Sequence, residues 1–394
     1  MNKTVLLCMG TRPEIIKMAP VYHALKQTTL TTLVLHTGQH DTLAGELYSF
    51  FNMKPDYTFD LSRERNSLGH LFSITMEHLD KLFSEIDTSA VLVQGDTSSA
   101  LSGALTAFYH KIPVGHIEAG LRSHAEYEPF PEEKNRELIA RLSHWHFVPT
   151  SRAMENLLKE GIQPGKCYPV GNSIVDSVNW TMKFIESASY QPAPGVKQIM
   201  QWLENDTTTN KIVLVTAHRR ESWDGQIEEI AKGIRSITEQ HPDIRVIWPV
   251  HPNPVVKDAV HKILNGRSHN KQVWLCEPLN CPGMLYFLQR SWLVLTDSGG
   301  LQEEAVTLKV PVLVLRDRTE RPEVVDVHAG ALIGTSSVSI IDWVNKLYTD
   351  SNLYNSYKST SNPFGDGNTA SSIAEILEHE LGIKCSVDLT AGVN

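Results

Sequence analysis

The sequence lacks the features that mark several common protein classes. Five cysteines are odd in number and scattered among 394 residues, so neither a disulfide framework nor a paired CxxC zinc site is indicated. No HExxH motif accompanies the 17 histidines, and no PCxxC follows His116-Ile-Glu118, so we expect no required metal. The apolar run near the N-terminus is too short for a signal peptide or a membrane span, which favours a cytoplasmic protein.

Three nucleotide-binding and hydrolase motifs are also missing. There is no GxGxxG after a strand, no GxxxxGK[ST] and no GxSxG, which argues against a dinucleotide oxidoreductase, a P-loop NTPase and a serine hydrolase. The formal net charge of -9 and a pI near 6.0 argue against an extended nucleic-acid surface. We therefore expect neither a nucleic-acid nor a membrane partner, although a local basic pocket for a small anion is compatible with this composition.

The residues that are present predict an α/β protein with two doubly wound, Rossmann-like domains. A hydrophobic content of 41% allows a large core, and the length favours two domains. Six short runs rich in β-branched and aliphatic residues alternate with helical patterns in each half, which indicates parallel sheets covered by helices. We place the domains at 1–172 and 173–365, with a C-terminal helix and tail at 366–394 that packs on the first domain. Two facing sheets of this kind would bring their carboxyl edges to one central cleft.

Charged residues follow the predicted strands of the first half. In GTRPEIIKMAP, Arg12 and Lys17 bring two cations to a helix start, which suits an anionic ligand. Asp96 and Glu118 each end an apolar strand, and Glu132 enters from the following PFPEEKNR segment. Like charges held close raise one another's pKa, so these acids are candidates for proton transfer near neutral pH. The simpler interpretation is that Asp96 caps a helix and that Glu132 and Glu133 complement a helix dipole.

The second half carries a pattern typical of nucleotide binding. His218 and Arg219 follow one strand, and a His-Arg cluster is suited to neutralising a diphosphate. In TDSGGLQEEA, Ser298, Gly299 and Gly300 offer free N–H groups at a helix start for phosphate oxygens. Glu304 lies one turn deeper, where a carboxylate accepts both hydroxyls of a ribose. We expect Glu303 to face elsewhere and to be structural.

Taken as a set, the motifs resemble the non-hydrolysing UDP-N-acetylglucosamine 2-epimerase family. The resemblance runs from about Thr4 to about Leu381 and rests on GTRPEIIKMAP, QGDTSSA, GHIEAGLRS, PFPEEKNR, TAHRRES, PVHPNP, TDSGGLQEEA and LRDRTERPE. It implies the two-domain glycosyltransferase-B architecture, a homodimer, and no metal or nicotinamide cofactor. It also implies interconversion of UDP-N-acetylglucosamine and UDP-N-acetylmannosamine at C2, by elimination and re-addition of UDP through 2-acetamidoglucal.

The resemblance further implies roles for individual residues. The catalytic residues would be Asp96, Glu118, Glu132 and His218. The UDP-sugar would be bound by Arg12, Lys17, His218, Arg219, Ser298, Gly299, Gly300, Glu304 and Arg321. Gln39 and Arg65 match a regulatory second substrate site, in which Thr42 replaces a longer polar side chain of the family pattern.

Departures from the family pattern leave alternatives open. HRRES stands for the usual HRREN, and EPLNCPGM replaces a more aromatic stretch near the expected sugar surroundings. The same chemistry on a UDP-linked uronic acid or diacetamido sugar is therefore one alternative. A glycosyltransferase of the same architecture, a hydrolysing epimerase and a non-catalytic UDP-sugar sensor are others. The sensor has no use for carboxylates placed beside a diphosphate.

Overall fold

A computed structural model describes residues 3–39, 44–61, 67–205, 211–217, 225–264, 271–358 and 360–382. The sequence predictions at Thr42, Arg65, His218 and Arg219 therefore lie outside the described residues. Among those described, the chain divides into two compact units, with unit 1 running up to Ser177 and resuming at Phe364, and unit 2 running from Val178 to Pro363. The domain limits at 172 and 365 remain predictions from composition.

Unit 1 contains a parallel sheet of seven strands. The strands are β1 Thr4–Met9, β2 Thr31–His36, β3 Tyr57–Thr58, β4 Ala90–Gln94, β5 Val114–Ile117, β6 Trp145–Val148 and β7 Cys167–Pro169. Their order is β3-β2-β1-β4-β5-β6-β7, and every pair is parallel. Six strands were predicted for this half, and the additional one is β3. Two residues are too few to produce a periodic pattern in the sequence.

Helices cover both faces of the unit 1 sheet, because right-handed crossovers leave to opposite faces on the two sides of the point where the strand order reverses. They are α1 Arg12–Leu25, α2 Ala44–Phe50, α3 Leu68–Glu85, α4 Ser98–Tyr109, α5 Glu132–Leu142, α6 Ser151–Lys159 and α7 Ser173–Glu186, with a 3-10 turn at Pro164–Lys166. The division between the units falls within α7. Fully buried side chains of β1 and β4, such as Leu6 and Val93, pack against α4 through Ala104.

Unit 2 contains a parallel sheet of six strands, as predicted. The strands are β8 Lys211–Thr216, β9 Ile244–Pro249, β10 Val273–Cys276, β11 Leu293–Thr296, β12 Val312–Val314 and β13 Gly330–Leu332. Their order is β10-β9-β8-β11-β12-β13, with all pairs parallel. The helices are α8 Pro194–Glu204, α9 Gln226–Gln240, α10 Pro254–Leu264, α11 Cys281–Arg290, α12 Gly299–Thr307, α13 Glu323–Asp326, α14 Ser337–Thr349 and α15 Ser351–Lys358.

The last described helix, α16 Thr369–Glu380, belongs to unit 1 and packs against α1. Two of its carboxylates fix it there. Glu378 accepts from the backbone N–H of Thr29 at 3.4 Å, and Glu380 accepts from the indole N–H of Trp145 at 3.1 Å. Across the described residues, none of the helices is long and apolar enough to cross a bilayer.

The strand orders confirm the predicted doubly wound α/β fold in each unit. In both sheets the order reverses between two neighbouring strands, which are β1 and β4 in unit 1 and β8 and β11 in unit 2. Ligands of such sheets bind at the carboxyl edge of this switch point, where the two connections leave in opposite directions. The turns after β1 and β4 hold Arg12 and Asp96, and the turn after β11 holds Ser298. The fold thus places the predicted motifs where binding is expected.

Candidate active site

Glu118 follows β5 at the carboxyl edge of the unit 1 sheet. Its φ of +66° lies in the left-handed region, which residues other than glycine seldom adopt. The residue is 7% exposed. Lys17 Nζ and Asn172 Nδ2 donate to Glu118 Oε1 at 2.5 and 3.1 Å, and Gln94 Nε2 donates to Glu118 Oε2. A carboxylate that is held by three donors on an unusual backbone conformation is typical of a functional site.

The Lys17–Glu118 ion pair joins two residues for which the sequence predicts different roles. Glu118 is a predicted catalytic acid, and Lys17 is a predicted nucleotide ligand. Both side chains are almost completely buried, so loss of either charge would remove a counter-charge from the other in the interior. In this structure Lys17 neutralises Glu118, and its contact with a nucleotide stays a prediction.

Asp96 lies in the turn between β4 and α4. Its Oδ2 accepts from Arg136 Nε at 2.8 Å and from Nη2 of the same guanidinium at 2.7 Å. The side chain of Asn135 donates to the Asp96 carbonyl at 2.7 Å. The simpler interpretation of Asp96 as a helix cap is wrong, because Thr97 is the N-cap of α4 and accepts from the Ala100 N–H. The Asp96 carboxylate is instead directed to a cation on α5.

The two adjacent glutamates at the start of α5 differ in their surroundings. Glu132, the predicted catalytic acid, is the first residue of the helix and is partly exposed. Glu133 is buried and accepts from the backbone N–H groups of Ser123 and His124 and from Arg136 Nη1. Burial alone would raise the pKa of Glu133, but these hydrogen bonds outweigh it and the pKa is lowered. Glu133 therefore fixes the 123–124 backbone and orients Arg136 toward Asp96.

Arg12 begins α1 next to the N-cap Thr11. Its Nε is buried and has no hydrogen-bond partner among the described residues. Gly10 precedes this turn, and a Cβ at that position would lie 2.0 Å from Thr37 Oγ1, so only glycine fits. An unsatisfied guanidinium N–H beside a helix N-terminus is suited to an anionic ligand, as the sequence predicts.

Gln39, a predicted regulatory residue, lies near the same edge. Its Oε1 accepts from the backbone N–H and the hydroxyl of Ser99 at 3.1 and 2.6 Å. Ser99 is buried and also contacts the Thr37 hydroxyl at 2.7 Å. The amide of Gln39 therefore rests on the first turn of α4, and its regulatory role stays a prediction.

His116 on β5 is a buried neutral imidazole. Burial lowers its pKa to about 3, against the opposing effect of its hydrogen bond to the Gly95 carbonyl. Because a carbonyl oxygen only accepts, Nε2 carries the proton and donates to Gly95 O at 2.8 Å. Gly95 adopts a φ of +69° immediately before Asp96. His116 thus supports the turn that presents Asp96.

The unit 2 edge is formed where β11 leads into α12. Ser298 is the N-cap of α12 and accepts from the Leu301 N–H, while its own N–H donates to Thr296 Oγ1 at 3.0 Å. The two glycines that follow serve different purposes. A Cβ on Gly299 would lie 2.4 Å from the guanidinium of Arg321, whereas a Cβ on Gly300 would meet nothing within 4 Å. Only Gly300 faces open space.

Arg321 and the two glutamates of α12 complete this edge. Glu303 is fully buried and accepts from Arg321 Nε at 2.6 Å, which agrees with the structural role expected for it. Arg321 also pairs with Glu320 at 3.0 Å and is 8% exposed, so its charge is balanced inside unit 2. Glu304 is partly exposed. The binding roles of Arg321 and Glu304 stay predictions.

Four of the residues that form the unit 1 edge were not selected from the sequence. Gln94 is a polar residue that ends the apolar strand AVLVQ, and Asn172 follows Gly171 after β7. Both residues could be found from the sequence by looking for polar side chains at the ends of predicted strands. Arg136 and His116 carry a weaker signal, because their importance rests on contacts with Asp96 and Gly95, which are 40 and 21 residues away.

Comparison with known proteins identifies the family of this chain. A sequence profile described as UDP-N-acetylglucosamine 2-epimerase matches residues 23–378. The chain belongs to this family. It is 39% identical to a Yersinia pestis UDP-N-acetylglucosamine 2-epimerase over 95% of this chain and 98% of the relative. It is 40% identical to the Bacillus subtilis enzyme of the same name over 96% of each chain.

A solved structure supports the same assignment. The UDP-GlcNAc 2-epimerase from Neisseria meningitidis, determined with UDP-GlcNAc bound, is 37% identical and superposes with a TM-score of 0.88. The match covers 95% of this chain and 100% of that one. The family resemblance, the enzyme class and the fold predicted from the motifs are thereby confirmed.

Proposed function

We propose that this member of the epimerase family interconverts UDP-N-acetylglucosamine and UDP-N-acetylmannosamine by elimination and re-addition of UDP. A base removes the proton from C2, and the bond between C1 and the diphosphate oxygen breaks with its electron pair leaving on UDP. The C1–C2 double bond of 2-acetamidoglucal forms in the same step. UDP then returns to C1 while a proton is added to the opposite face of C2. The reaction is redox-neutral, so it needs no oxidant or reductant.

The observation that carries this proposal is the pair of cation-bound carboxylates at the carboxyl edge of the unit 1 sheet, of which Glu118 is buried and Asp96 is partly exposed. Glu118 is paired with Lys17, and Asp96 is paired with Arg136, on the turns that follow two neighbouring strands. A C2 proton beside an acetamido group is weakly acidic, so its removal needs positioned bases and a well-stabilised leaving group. We assign proton transfer at C2 to Asp96, Glu118 and Glu132.

The unit 2 edge is suited to the nucleotide portion of the substrate. The first N–H groups of α12 carry the positive end of the helix dipole, and the open face of Gly300 allows the backbone to approach an oxygen closely. We assign the diphosphate to Ser298, Gly299 and Gly300, together with His218 and Arg219, which lie outside the described residues. We assign the ribose hydroxyls to Glu304.

Product identification by NMR tests the function. The purified protein is incubated with UDP-N-acetylglucosamine, and the sugar species are followed by proton spectra. Formation of UDP-N-acetylmannosamine to a stable ratio of the two nucleotide sugars is expected. Accumulation of free N-acetylmannosamine would assign a hydrolysing enzyme instead. An unchanged substrate with folded protein would refute the substrate assignment, and the uronic-acid and diacetamido analogues would then be tried.

Self-association is the second part of the proposal, because the family resemblance implies a homodimer. Unit 1 carries an apolar groove of about 570 Å³ between α3, α4 and α5. Three of the side chains that line it, Leu68, Phe130 and Leu138, are 47%, 61% and 51% exposed. Exposed apolar surface of this kind favours a protein partner, and a second copy of this chain is the occupant we propose.

Light scattering tests this assignment directly. The protein is expected to elute with the mass of two chains, and Leu138→Glu is expected to shift it to one chain because a charge would then be buried at the contact. Val255→Glu, at an apolar position in unit 2 that is 54% exposed, serves as the control. A single-chain mass for the unmodified protein at every concentration would reject the dimer.

A further inference from the structure

Glu14 makes a set of contacts that neither the motif analysis nor the proposed reaction uses. Its Oε2 accepts from the backbone N–H groups of Gly10 and Thr11 at 3.0 and 2.7 Å. Its Oε1 accepts from the Thr97 hydroxyl at 2.7 Å. The residue is 1% exposed. One buried carboxylate therefore binds the turn after β1 and the turn after β4.

These two turns flank the switch point of the unit 1 sheet. The parallel pairing of β1 with β4 runs from Val5–Ala90 to Cys8–Val93 and ends before the turns begin. Beyond it, the first turn carries Arg12 and the second carries Asp96. The Glu14 carboxylate connects the two turns directly, through its hydrogen bonds to both. It does so beyond the last residues that are paired in the sheet.

A capping role explains only part of this arrangement. Thr11-x-x-Glu14 has the spacing of a capping box, in which the glutamate accepts from the N-cap N–H. That role accounts for the bond to Thr11, but it requires neither the bond to Gly10 nor the bond to Thr97, which is 83 residues away. The bond to Thr97 connects two segments that a helix cap would leave independent.

We propose that Glu14 is a positioning residue for the epimerase reaction, and that it fixes the separation between the turn of Arg12 and the turn of Asp96. This inference rests on the proposed reaction, in which Asp96 transfers a proton, and on the predicted contact of Arg12 with the anionic part of the substrate. A misplacement of about 1 Å in a catalytic group is enough to lower turnover by about 10²-fold. A short connection between the turns through Glu14 would therefore favour turnover, even if it lowers the stability of the fold.

The electrostatic surroundings of Glu14 indicate such a cost. No salt bridge joins it to a cation within the described parts of the chain, and burial raises its pKa to about 7 despite its hydrogen bonds. Its negative charge acts on the thiol of Cys8 on β1 and on the phenol of Tyr48 on α2, and burial raises the pKa of both. Neither supplies a positive charge.

The hydrogen-bonded connection between the two turns persists when Glu14 is protonated. A protonated Oε1 would donate to the Thr97 hydroxyl, which can accept this bond as well as the one from the Ala100 N–H. Oε2 would continue to accept from Gly10 and Thr11. A glutamine can form the same pattern with its amide N–H₂ and carbonyl oxygen, whereas an alanine forms none of it.

Substitution at position 14 tests the proposal through kcat, KM and hydrogen exchange. Glu14→Ala is expected to lower kcat by about 10²-fold with a much smaller change in KM, and Glu14→Gln is expected to restore most of the lost turnover. Met18→Ala, which removes fully buried packing one turn along α1, is the control for simple destabilisation. Equal losses of kcat in Glu14→Ala and Met18→Ala, or no rescue by glutamine, would overturn the positioning role.

A second pair of variants isolates the bond between the turns. Thr97→Val removes the hydroxyl that Glu14 contacts, and it also removes the N-cap of α4. Thr150→Val removes the equivalent N-cap of α6, where Ala153 N–H donates to the Thr150 hydroxyl at 3.2 Å. Turnover is expected to fall in Thr97→Val and to remain in Thr150→Val. Equal turnover in the two variants would show that the Thr97 hydroxyl acts only as the N-cap of α4.

Amide hydrogen exchange separates failure of this inference from failure of the proposed function. Peptides that cover 10–14 and 95–100 are expected to exchange faster in Glu14→Ala and to regain protection in Glu14→Gln. The unmodified protein could fail to epimerise UDP-N-acetylglucosamine while these exchange changes still occur. In that case the connection of the two turns through Glu14 is supported and the substrate assignment is rejected. Unchanged exchange in Glu14→Ala would reject the connection itself.

Discussion

The carboxyl edges of the two units share one backbone plan but carry different chemistry. Each is the switch point of a parallel sheet, between β1 and β4 in unit 1 and between β8 and β11 in unit 2. Unit 1 surrounds its switch point with Glu14, Asp96 and Glu118, which are buried or paired with cations. The described part of unit 2 offers helix N–H groups, the Ser298 hydroxyl and an arginine that is already neutralised by glutamates.

The comparison shows that topology selects the place and the residues after each strand select the chemistry. Carboxylates that a cation holds in the ionised form are available to accept a proton, whereas amide donors at a helix start are suited to holding phosphate without a formal positive charge. Substitutions of the groups assigned to the reaction should therefore affect different quantities: turnover for the carboxylates of unit 1, and nucleotide binding for the helix start of unit 2.

Asp96→Asn is expected to give the largest effect. It keeps the shape of the side chain but removes the group that takes or gives a proton, so kcat should fall by about 10²–10⁴-fold. The dissociation constant for UDP, measured by calorimetry, should stay within about twofold, because the nucleotide is assigned to unit 2. Glu137→Gln, an exposed acid on α5, is the control. Turnover retained in Asp96→Asn would remove it from the catalytic residues.

Lys17→Met tests the buried pair in unit 1. Removing the cation takes from buried Glu118 the counter-charge that it has in this ion pair, so the free energy of unfolding from urea titration should fall by about 3–5 kcal/mol. Lys134→Met removes a cation from the exposed pair with Glu137 and should cause little loss. An equally small loss of unfolding free energy in both variants would show that the buried Lys17–Glu118 pair does not stabilise unit 1.

Glu14→Gln should change the dependence of stability on pH. Because the folded-state pKa is raised from about 4.5 to about 7, the contribution of Glu14 is fully present below the lower value and is lost as the pH rises through 7. The variant avoids this loss, so at about pH 8 it should be more stable than the parent by about 1–3 kcal/mol. The advantage should shrink as the pH falls toward 5. An advantage that is constant across this range would contradict a titrating Glu14.

Two glycines in unit 2 provide the smallest contrast. Gly299→Ala places a Cβ against the guanidinium of Arg321, which Glu303 holds in place, and should cost about 1–3 kcal/mol of stability. Gly300→Ala enters open space and should leave the melting temperature unchanged or slightly raised. It should instead weaken UDP binding in calorimetry, by about tenfold, because the added methyl blocks close approach of an oxygen. The opposite pattern would reverse the assignment of the two glycines.

Much of the architecture follows from the sequence because its signals are local. Apolar runs separated by helical patterns predict parallel sheets, and parallel strands necessarily deliver their trailing residues to one edge. For this reason the sequence alone predicts that Asp96 and Glu118 lie at one edge of the sheet, and the adjacent strands β4 and β5 place them there. Strand β3 was missed because its two residues carry no pattern, and the twelve other strands were recognised.

The pairing within the site did not follow from local patterns. Lys17 and Glu118 are 101 residues apart, and Arg136 reaches Asp96 across 40 residues. Such contacts depend on side-chain packing between distant elements. The sequence predicts Lys17 as a nucleotide ligand, which stays a prediction, but it does not predict the internal carboxylate partner that Lys17 has in unit 1. A charged residue near a helix start predicts an anion but does not identify it.

The central claim, that the unit 1 acids move a proton at C2, is tested most directly by solvent deuterium. The protein is incubated with UDP-N-acetylglucosamine in D₂O, and C2 of both nucleotide sugars is examined by NMR and mass spectrometry. The account predicts deuterium at C2 in both epimers, with Asp96→Asn slowing label entry as much as turnover. UDP-N-acetylmannosamine that forms without solvent deuterium at C2 would contradict it.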